Sequence, residues 1–162
     1  MQTFNSTLLT TFASALSGKA DLRRAWGRPT DIRFTPDAEE IWEYARGPMG
    51  RQTFMARIGR DGRIIEIEQV LTEAHVAQLR PGYSTSAQVR ALLGRPGDVA
   101  FYSGTGAEVW EYRILDDASR TARILIQLDP DGIVTEIGKQ VDTPGGVQGH
   151  ARDSGKSGGK SR

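Results

Sequence analysis

The sequence has no cysteine, very few histidines and no marked excess of charge of either sign. Without cysteine it can form neither disulfides nor thiolate zinc sites, and it holds no thiol for lipid attachment. Its two histidines, His75 and His150, do not form a pair at metal-ligand spacing, so no metal or cofactor is predicted. Twenty-one basic and twenty acidic residues give a net charge of +1, which argues against a nucleic-acid partner.

Long hydrophobic runs are also missing, since none approaches the roughly 18 residues needed for a membrane span. The composition, with 38% hydrophobic and 25% charged residues, is that of a globular domain. Its stability must therefore come from packing rather than from covalent links or metals.

The most informative feature that is present is a repeat. Three short segments recur in the same order, at spacings that drift from 67 residues (94 minus 27) to 70 (132 minus 62). A near-constant period of this kind indicates a duplicated module with small changes in its loops. The first copies are Gly27-Arg28-Pro29, Ile41-Trp42-Glu43-Tyr44 and Asp61-Gly62, and the second are Gly94-Arg95-Pro96, Val109-Trp110-Glu111-Tyr112 and Asp131-Gly132.

The repeat predicts an α+β protein of two tandem modules, 1–71 and 72–141, followed by a tail, 142–162. Each module reads as two helices and then an antiparallel meander of three or four strands. Each module is near the lower size limit for an independent hydrophobic core, so the two would gain stability by packing against each other. The predicted helices are 7–16, 19–26, 72–79 and one that begins at Thr85; the predicted strands are 31–34, 40–46, 53–58, 63–71, 99–102, 108–115, 121–128 and 133–140.

Helix ends in the second module carry clear signals. Thr72 is placed as the N-cap of the short helix, with Val76 and Leu79 on its buried face. Thr85 to Gln88 has the form of a capping box that begins the next helix. Gly94 ends that helix. In the first module, Leu22, Ala25 and Trp26 are predicted to point inward from the second helix.

The Trp-Glu-Tyr segments are the candidate functional residues. In each segment the tryptophan and the tyrosine project to the same side of the strand: Trp42 and Tyr44 in the first copy, Trp110 and Tyr112 in the second. These side chains either pack under the helices as part of the core or form an exposed recognition surface. The pattern favours the core, because burial of a large aromatic contributes roughly 2 to 3 kcal/mol. If that side is open, the four rings become candidate protein-binding residues.

Several other motifs favour structural interpretations. Glu43 and Glu111 lie opposite the aromatic side and are read as sheet-surface charges rather than as an acid-base pair. Asp129 to Gly132 begins like a calcium loop but lacks its later ligands, so it predicts a hairpin turn. Gly155-Lys156-Ser157 lacks the earlier glycine of a phosphate-binding loop and belongs to a tail predicted to be disordered.

A family resemblance completes the pattern. The segment 82–89, the run Leu93-Gly94-Arg95-Pro96, the Trp-x-Tyr strand and the Asp-Gly turn resemble the SmpA/OmlA (BamE-like) family of outer-membrane lipoproteins. The resemblance implies a fold shared with the two-module β-lactamase inhibitory protein. The family's members act by binding, so it implies no enzymatic activity and no catalytic, cofactor or metal residues.

The expected function is that of a non-enzymatic protein-binding or scaffolding module of the bacterial cell envelope, linked to outer-membrane protein assembly or envelope integrity. The expected partner is an envelope protein, with weak anionic membrane contact through the basic tail. The alternative is a soluble two-module inhibitor that binds an enzyme through its sheet face. A signal peptide and lipidated cysteine upstream of Met1 would place the protein in the periplasm or at the inner face of the outer membrane; a chain complete as written would be cytoplasmic.

Overall fold

The structure, a computed structural model, describes residues 17–46 and 50–143. The helices are α1 (Lys19–Trp26), α2 (Glu73–Val76) and α3 (Ser86–Leu93). The strands are β1 (Asp31–Phe34), β2 (Glu40–Arg46), β3 (Gln52–Ile58), β4 (Ile64–Gln69), β5 (Asp98–Tyr102), β6 (Ala107–Leu115), β7 (Thr121–Leu128) and β8 (Val134–Val141). The predicted helix 7–16, and the tail from residue 144 with its phosphate-loop-like motif and His150, lie outside these residues.

The strands form two four-stranded antiparallel meanders, β1-β2-β3-β4 and β5-β6-β7-β8, each preceded by helix. The predicted α+β architecture of two tandem modules is therefore confirmed, while the exact module boundaries remain a prediction. The registers match between copies: Trp42 pairs with Ala56 in the first sheet, and Trp110 pairs with Ile126 in the second. No helix within the described ranges is both long and apolar enough to cross a lipid bilayer.

Each sheet packs one face against its own helices, which gives two separate cores. The first is built on Leu22, Trp42, Tyr44, Ala56 and Ile58. The second is larger and contains Leu71, Leu79, Val89, Leu93, Tyr112, Ile114, Ala122, Ile124, Ile126, Leu128 and Val134. We call these helix-covered sides the inner faces, and the opposite sides the outer faces.

The capping signals are confirmed. Thr72 accepts a hydrogen bond from the His75 amide, and Thr85 and Gln88 form the complete capping box. The helix α2 is shorter than predicted, although Leu79 beyond its end is still buried. The Asp129 to Gly132 segment is a hairpin turn in which the Asp129 side chain accepts from the Ile133 amide at 2.9 Å.

One inward residue of α1 was predicted wrongly. Leu22 is fully buried and Trp26 packs against the first core, but Ala25 is exposed. An eight-residue helix buries only a narrow stripe, and the stripe through Leu22 and Trp26 leaves Ala25 on its solvent side.

Candidate protein-binding surface

The four aromatic candidates lie on the inner faces of their sheets. Trp42, Tyr44 and Tyr112 are 4%, 2% and 1% exposed, and Trp110 is half-buried against the second core. The interpretation of these rings as core is therefore confirmed. Partner contact through them stays a prediction, and only Trp110 retains appreciable exposure for it.

Both tyrosines tie their strands to the end of the preceding helix. The Tyr112 hydroxyl donates to the Gly94 carbonyl at 2.8 Å, and the Tyr44 hydroxyl donates to the Gly27 carbonyl at 3.2 Å. Burial raises the pKa of both phenols, so each stays protonated and continues to donate. The pair of bonds fixes the Gly-Arg-Pro turns in the same relation to both sheets.

The outer faces differ from the sequence prediction at Glu43. Its side chain is 0% exposed, whereas the matched Glu111 side chain is 22% exposed and lies near Arg113 and Arg123. The interpretation of Glu43 as a sheet-surface charge is thus wrong, and that of Glu111 agrees with its position. The physical reason is that the end of α3 and the following turn of the second module pack over Glu43 on the outer face of the first sheet.

Glu43 is the centre of this junction between modules. Its Oε1 accepts a hydrogen bond of 2.8 Å from the Arg95 amide, and its Oε2 lies 3.7 Å from the Arg33 guanidinium. Gly94 makes this approach possible, since a Cβ there would lie 2.7 Å from Oε1. A buried carboxylate is stable only with such partners, so Glu43 links the two modules directly.

A second layer of contacts surrounds Glu43. Arg33 donates to the Arg90 carbonyl at 2.8 Å, near the C-terminal end of α3, where cations are favoured. The Arg90 guanidinium in turn pairs with Asp31 at 2.9 Å. Arg51 also crosses between modules, donating to the Thr121 hydroxyl at 2.8 Å. This junction was not predicted from the sequence, although Ala100 stands at the position that matches Arg33, which is an asymmetry visible between the two copies.

Beside the junction lies an open cleft of about 510 Å³ between the first sheet's outer face and the second module. Its apolar lining includes Phe34, Ile41, Met55, Val70 and Leu92. His75 is at its rim, where its ring contacts Glu68 at 3.2 Å and the Thr72 hydroxyl at 2.7 Å.

Exposed apolar side chains concentrate on β5, the first strand of the second sheet. Val99, Phe101 and Tyr102 are 47%, 64% and 56% exposed, and Val99 pairs with Trp110. Within the described part of the chain, β5 pairs only with β6, so its other edge presents unpaired backbone groups. Large exposed apolar residues along a free strand edge are typical of a protein-binding site.

The first module repeats this arrangement on a smaller scale. Ile32 and Phe34 of β1, at the positions of Val99 and Phe101, are 41% and 73% exposed. Since β1 carries no counterpart of the exposed Tyr102 within its four residues, the β5 edge presents the larger apolar surface.

An ionic network lies at the β6 to β7 connection. The Asp116 carboxylate accepts from the Arg120 guanidinium at 2.9 Å and from the Ala118 amide at 3.0 Å, and it contacts Lys139 at 3.3 Å. Lys139 also pairs with Glu73. The hydrogen bonds from Arg120 hold the pKa of Asp116 well below its usual range. The network closes a turn and offers no acid or base poised near neutral pH.

No group of acidic or histidine residues suited to a metal ion occurs in the ranges 17–46 and 50–143. What these residues present is a set of surfaces for contact: a covered outer face, a cleft and an apolar strand edge.

Comparison with known proteins agrees with this picture. Residues 68–138 match the family model described as the outer membrane protein assembly factor BamE domain. The second module is therefore similar to this family's domain. The match covers 71 residues (138 minus 68, plus 1) of 162, and it includes α2, α3 and β5 to β7.

Other comparisons add little. No curated protein matches the sequence. A crystal structure of the DUF4309 family protein YjgB from Bacillus subtilis subsp. subtilis str. 168 matches over 83% of this chain and 93% of its own, at 18% identity and a TM-score of 0.31. That likeness is too low to carry an argument about fold or role. The fold shared with the β-lactamase inhibitory protein stays a prediction.

Proposed function

We propose that this protein is a non-enzymatic protein-binding or scaffolding module of the bacterial cell envelope, acting in outer-membrane protein assembly. The observation that carries the proposal is the match of the second module to a family of assembly-factor domains, together with the exposed apolar residues that this module presents. Both observations support a protein partner held in the envelope.

The proposed contact is the β5 edge. A partner strand added there would pair with the free backbone groups, while Phe101 and Val99 would pack against the partner's side chains. Trp110 borders the same surface through its pairing with Val99 and is included as the one original aromatic candidate with access to it. The cleft beside the junction lies mainly on the first module and outside the matched domain.

The inhibitor alternative is not favoured. It required all four sheet-face rings to be exposed to an enzyme. Those of Trp42, Tyr44 and Tyr112 are buried, and that of Trp110 is half-buried.

The binding test compares two matched phenylalanines. The full chain, Phe101→Asp and the control Phe34→Asp are immobilised and exposed to envelope extract, and retained proteins are identified and quantified. Because removal of a hot-spot aromatic costs about 2 kcal/mol or more, we expect Phe101→Asp to lower retention of its partner about 30-fold. We expect Phe34→Asp to retain the same partner as the unmodified chain.

An outer-membrane assembly protein among the retained proteins supports the proposal. Equal retention by Phe101→Asp and the unmodified chain would remove the β5 edge as the contact, and retention of no envelope protein would contradict the envelope role.

The proposed location is the periplasmic side of the outer membrane, with a lipid anchor supplied by a segment preceding Met1. Sequencing the gene upstream of Met1 tests this: an in-frame signal with a lipid-acceptor cysteine supports the anchor, and a stop codon directly upstream contradicts it. The basic residues Arg152, Lys156 and Lys160 would add weak, salt-dependent contact with anionic lipid.

A further inference from the structure

Each module carries both halves of the junction that joins the two modules. One half, which we call the helix end, is an arginine, a glycine and an arginine amide at the end of a helix: Arg90, Gly94 and Arg95 in the second module. The other half, the acid pair, is Asp31 and Glu43 on the outer face of the first sheet. The helix end binds the acid pair through the Arg90 to Asp31 ion pair at 2.9 Å and the hydrogen bond from the Arg95 amide to Glu43 at 2.8 Å.

The repeat supplies a second, unused copy of each half. Sixty-seven residues earlier (90 minus 23, 94 minus 27, 95 minus 28), the first module has a helix end of Arg23, Gly27 and Arg28. The second sheet has an acid pair of Asp98 and Glu111, which are directly paired across β5 and β6, as Asp31 and Glu43 are across β1 and β2.

The unused halves have the same local geometry as the used ones. Gly27 has φ 78° and ψ −155°, and Gly94 has φ 78° and ψ −157°. The Asp98 Oδ1 accepts from the next amide at 2.9 Å, and the Asp31 Oδ1 does so at 3.0 Å. The other carboxylate oxygen of Asp31, Oδ2, accepts a hydrogen bond from the Arg90 guanidinium. The matched Oδ2 of Asp98 is therefore oriented to accept from an arginine.

The unused halves are also accessible. A Cβ added at Gly27 would meet nothing within 4 Å, whereas one at Gly94 would strike the Glu43 carboxylate. Arg23, Arg28 and Asp98 are exposed. Among the residues that the structure describes, neither arginine forms an ion pair.

The Glu111 carboxylate is partly exposed to solvent and accepts no hydrogen bond from another described residue. Its nearest cations are Arg113 at 3.7 Å and Arg123 at 3.9 Å, both beyond hydrogen-bond length. The Arg123 Nε is buried and has no hydrogen-bond partner within the described residues. This face therefore holds a carboxylate with capacity to accept and a local positive charge to balance it, as Arg33 balances Glu43.

We propose that a second copy of this chain docks its Arg23-Gly27-Arg28 helix end on the Asp98-Glu111 acid pair, repeating between chains the junction that joins the modules within one chain. Arg23 pairs with Asp98, the Arg28 amide donates to Glu111, and Gly27 permits the close approach. The association is heterologous and head-to-tail, so it builds rows unless its rotation closes a ring.

The association is weaker than the internal junction. Ala100 stands where Arg33 donates to the helix carbonyl, so one contact is missing between chains. The internal junction also benefits from the covalent link, which acts as a high effective concentration. We expect reversible assembly with half-association at tens of micromolar or above, in the order-of-magnitude range of weak complexes.

The test is sedimentation velocity of the full chain over a concentration series, with charge-reversal variants. The unmodified chain is expected to sediment faster as its concentration rises. Arg23→Glu and Asp98→Arg each place like charges together and are expected to raise the half-association concentration at least about tenfold. The control Arg63→Glu makes the same charge change near the opposite end of α1 and is expected to leave association unchanged.

Mixing the two variants decides the geometry. In the mixture, the unmodified Asp98 of the Arg23→Glu chain can pair with the unmodified Arg23 of the Asp98→Arg chain. The glutamate that the Arg23→Glu chain carries at position 23 faces the arginine introduced into the other chain, so the mixture is expected to associate although each variant alone does not. A folding defect in either variant would prevent this rescue. Absence of concentration dependence in the unmodified chain, association that survives both reversals, or failure of the mixture to associate would each overturn the proposal.

Discussion

The outer faces of the two sheets share a strand register and a central glutamate. In the part of the chain that the structure describes, the glutamate of the first sheet is covered and that of the second is open to solvent. Glu43 is fully buried and bonded to the Arg95 amide, while Glu111 is partly exposed and has only distant cations. The difference lies in the neighbour, because among residues 17–46 and 50–143 a helix end packs on the first sheet and not on the second. Burial of a residue in a repeat protein is thus set by the adjacent module as much as by its own strand.

Replacing the two glutamates by alanine is expected to give the largest difference between the two faces in the free energy of unfolding. Glu43→Ala leaves the Arg95 amide and the Arg33 guanidinium without their buried partner, so the free energy of unfolding should fall by about 3 to 5 kcal/mol. Glu111→Ala removes a partly exposed group and should cost about 0 to 1 kcal/mol. Urea denaturation of both variants measures this; equal losses would show that the junction does not depend on Glu43.

The matched glycines give the next comparison. Both Gly27 and Gly94 have a positive φ, so alanine at either costs about 1 to 3 kcal/mol in backbone strain. At Gly94 the new Cβ must also displace the Glu43 carboxylate, which adds about 1 to 3 kcal/mol. Thermal denaturation of Gly94→Ala and Gly27→Ala should therefore give clearly different losses, and identical losses would argue against the close approach at Gly94.

A smaller effect, confined to the second module, is expected in acid. The pKa of Asp116 is lowered in the folded state by its hydrogen bonds from Arg120, so its stabilisation is complete above the unfolded value of 3.8 and is lost as pH falls toward the folded value. The free energy of unfolding should decrease on acidification below about pH 4. Asp116→Asn should flatten this dependence in denaturation curves taken across that range, and an unchanged slope would contradict the assignment.

Local features of the fold were predictable because their causes lie close together in the sequence. The Thr85 capping box, the Asp129 turn and the alternation that buries Tyr112 each depend on residues within one element or its immediate flank. The ranges 31–34, 40–46 and 121–128 agree with the observed strands for the same reason.

The junction was not predictable in that way. Alternation correctly placed Glu43 on the side opposite Trp42, but it gives no information on whether another module covers that side. Arg90 and Arg95 are distant in sequence from Arg33 and Glu43. The two pairs of residues come together only through tertiary packing. The same limit applies to the network in which Asp116 meets Lys139.

The most direct test of this asymmetry is amide hydrogen exchange at the two matched arginines, measured in one sample by NMR at a concentration low enough to keep chains apart. The Arg95 amide, bonded to buried Glu43, should exchange slowly, and the Arg28 amide, on an exposed turn, should exchange quickly. Slow exchange at Arg95 with fast exchange at Arg28 is the predicted result. Comparable exchange at both sites would contradict the account, because it would mean that the two copies of the helix end have the same surroundings.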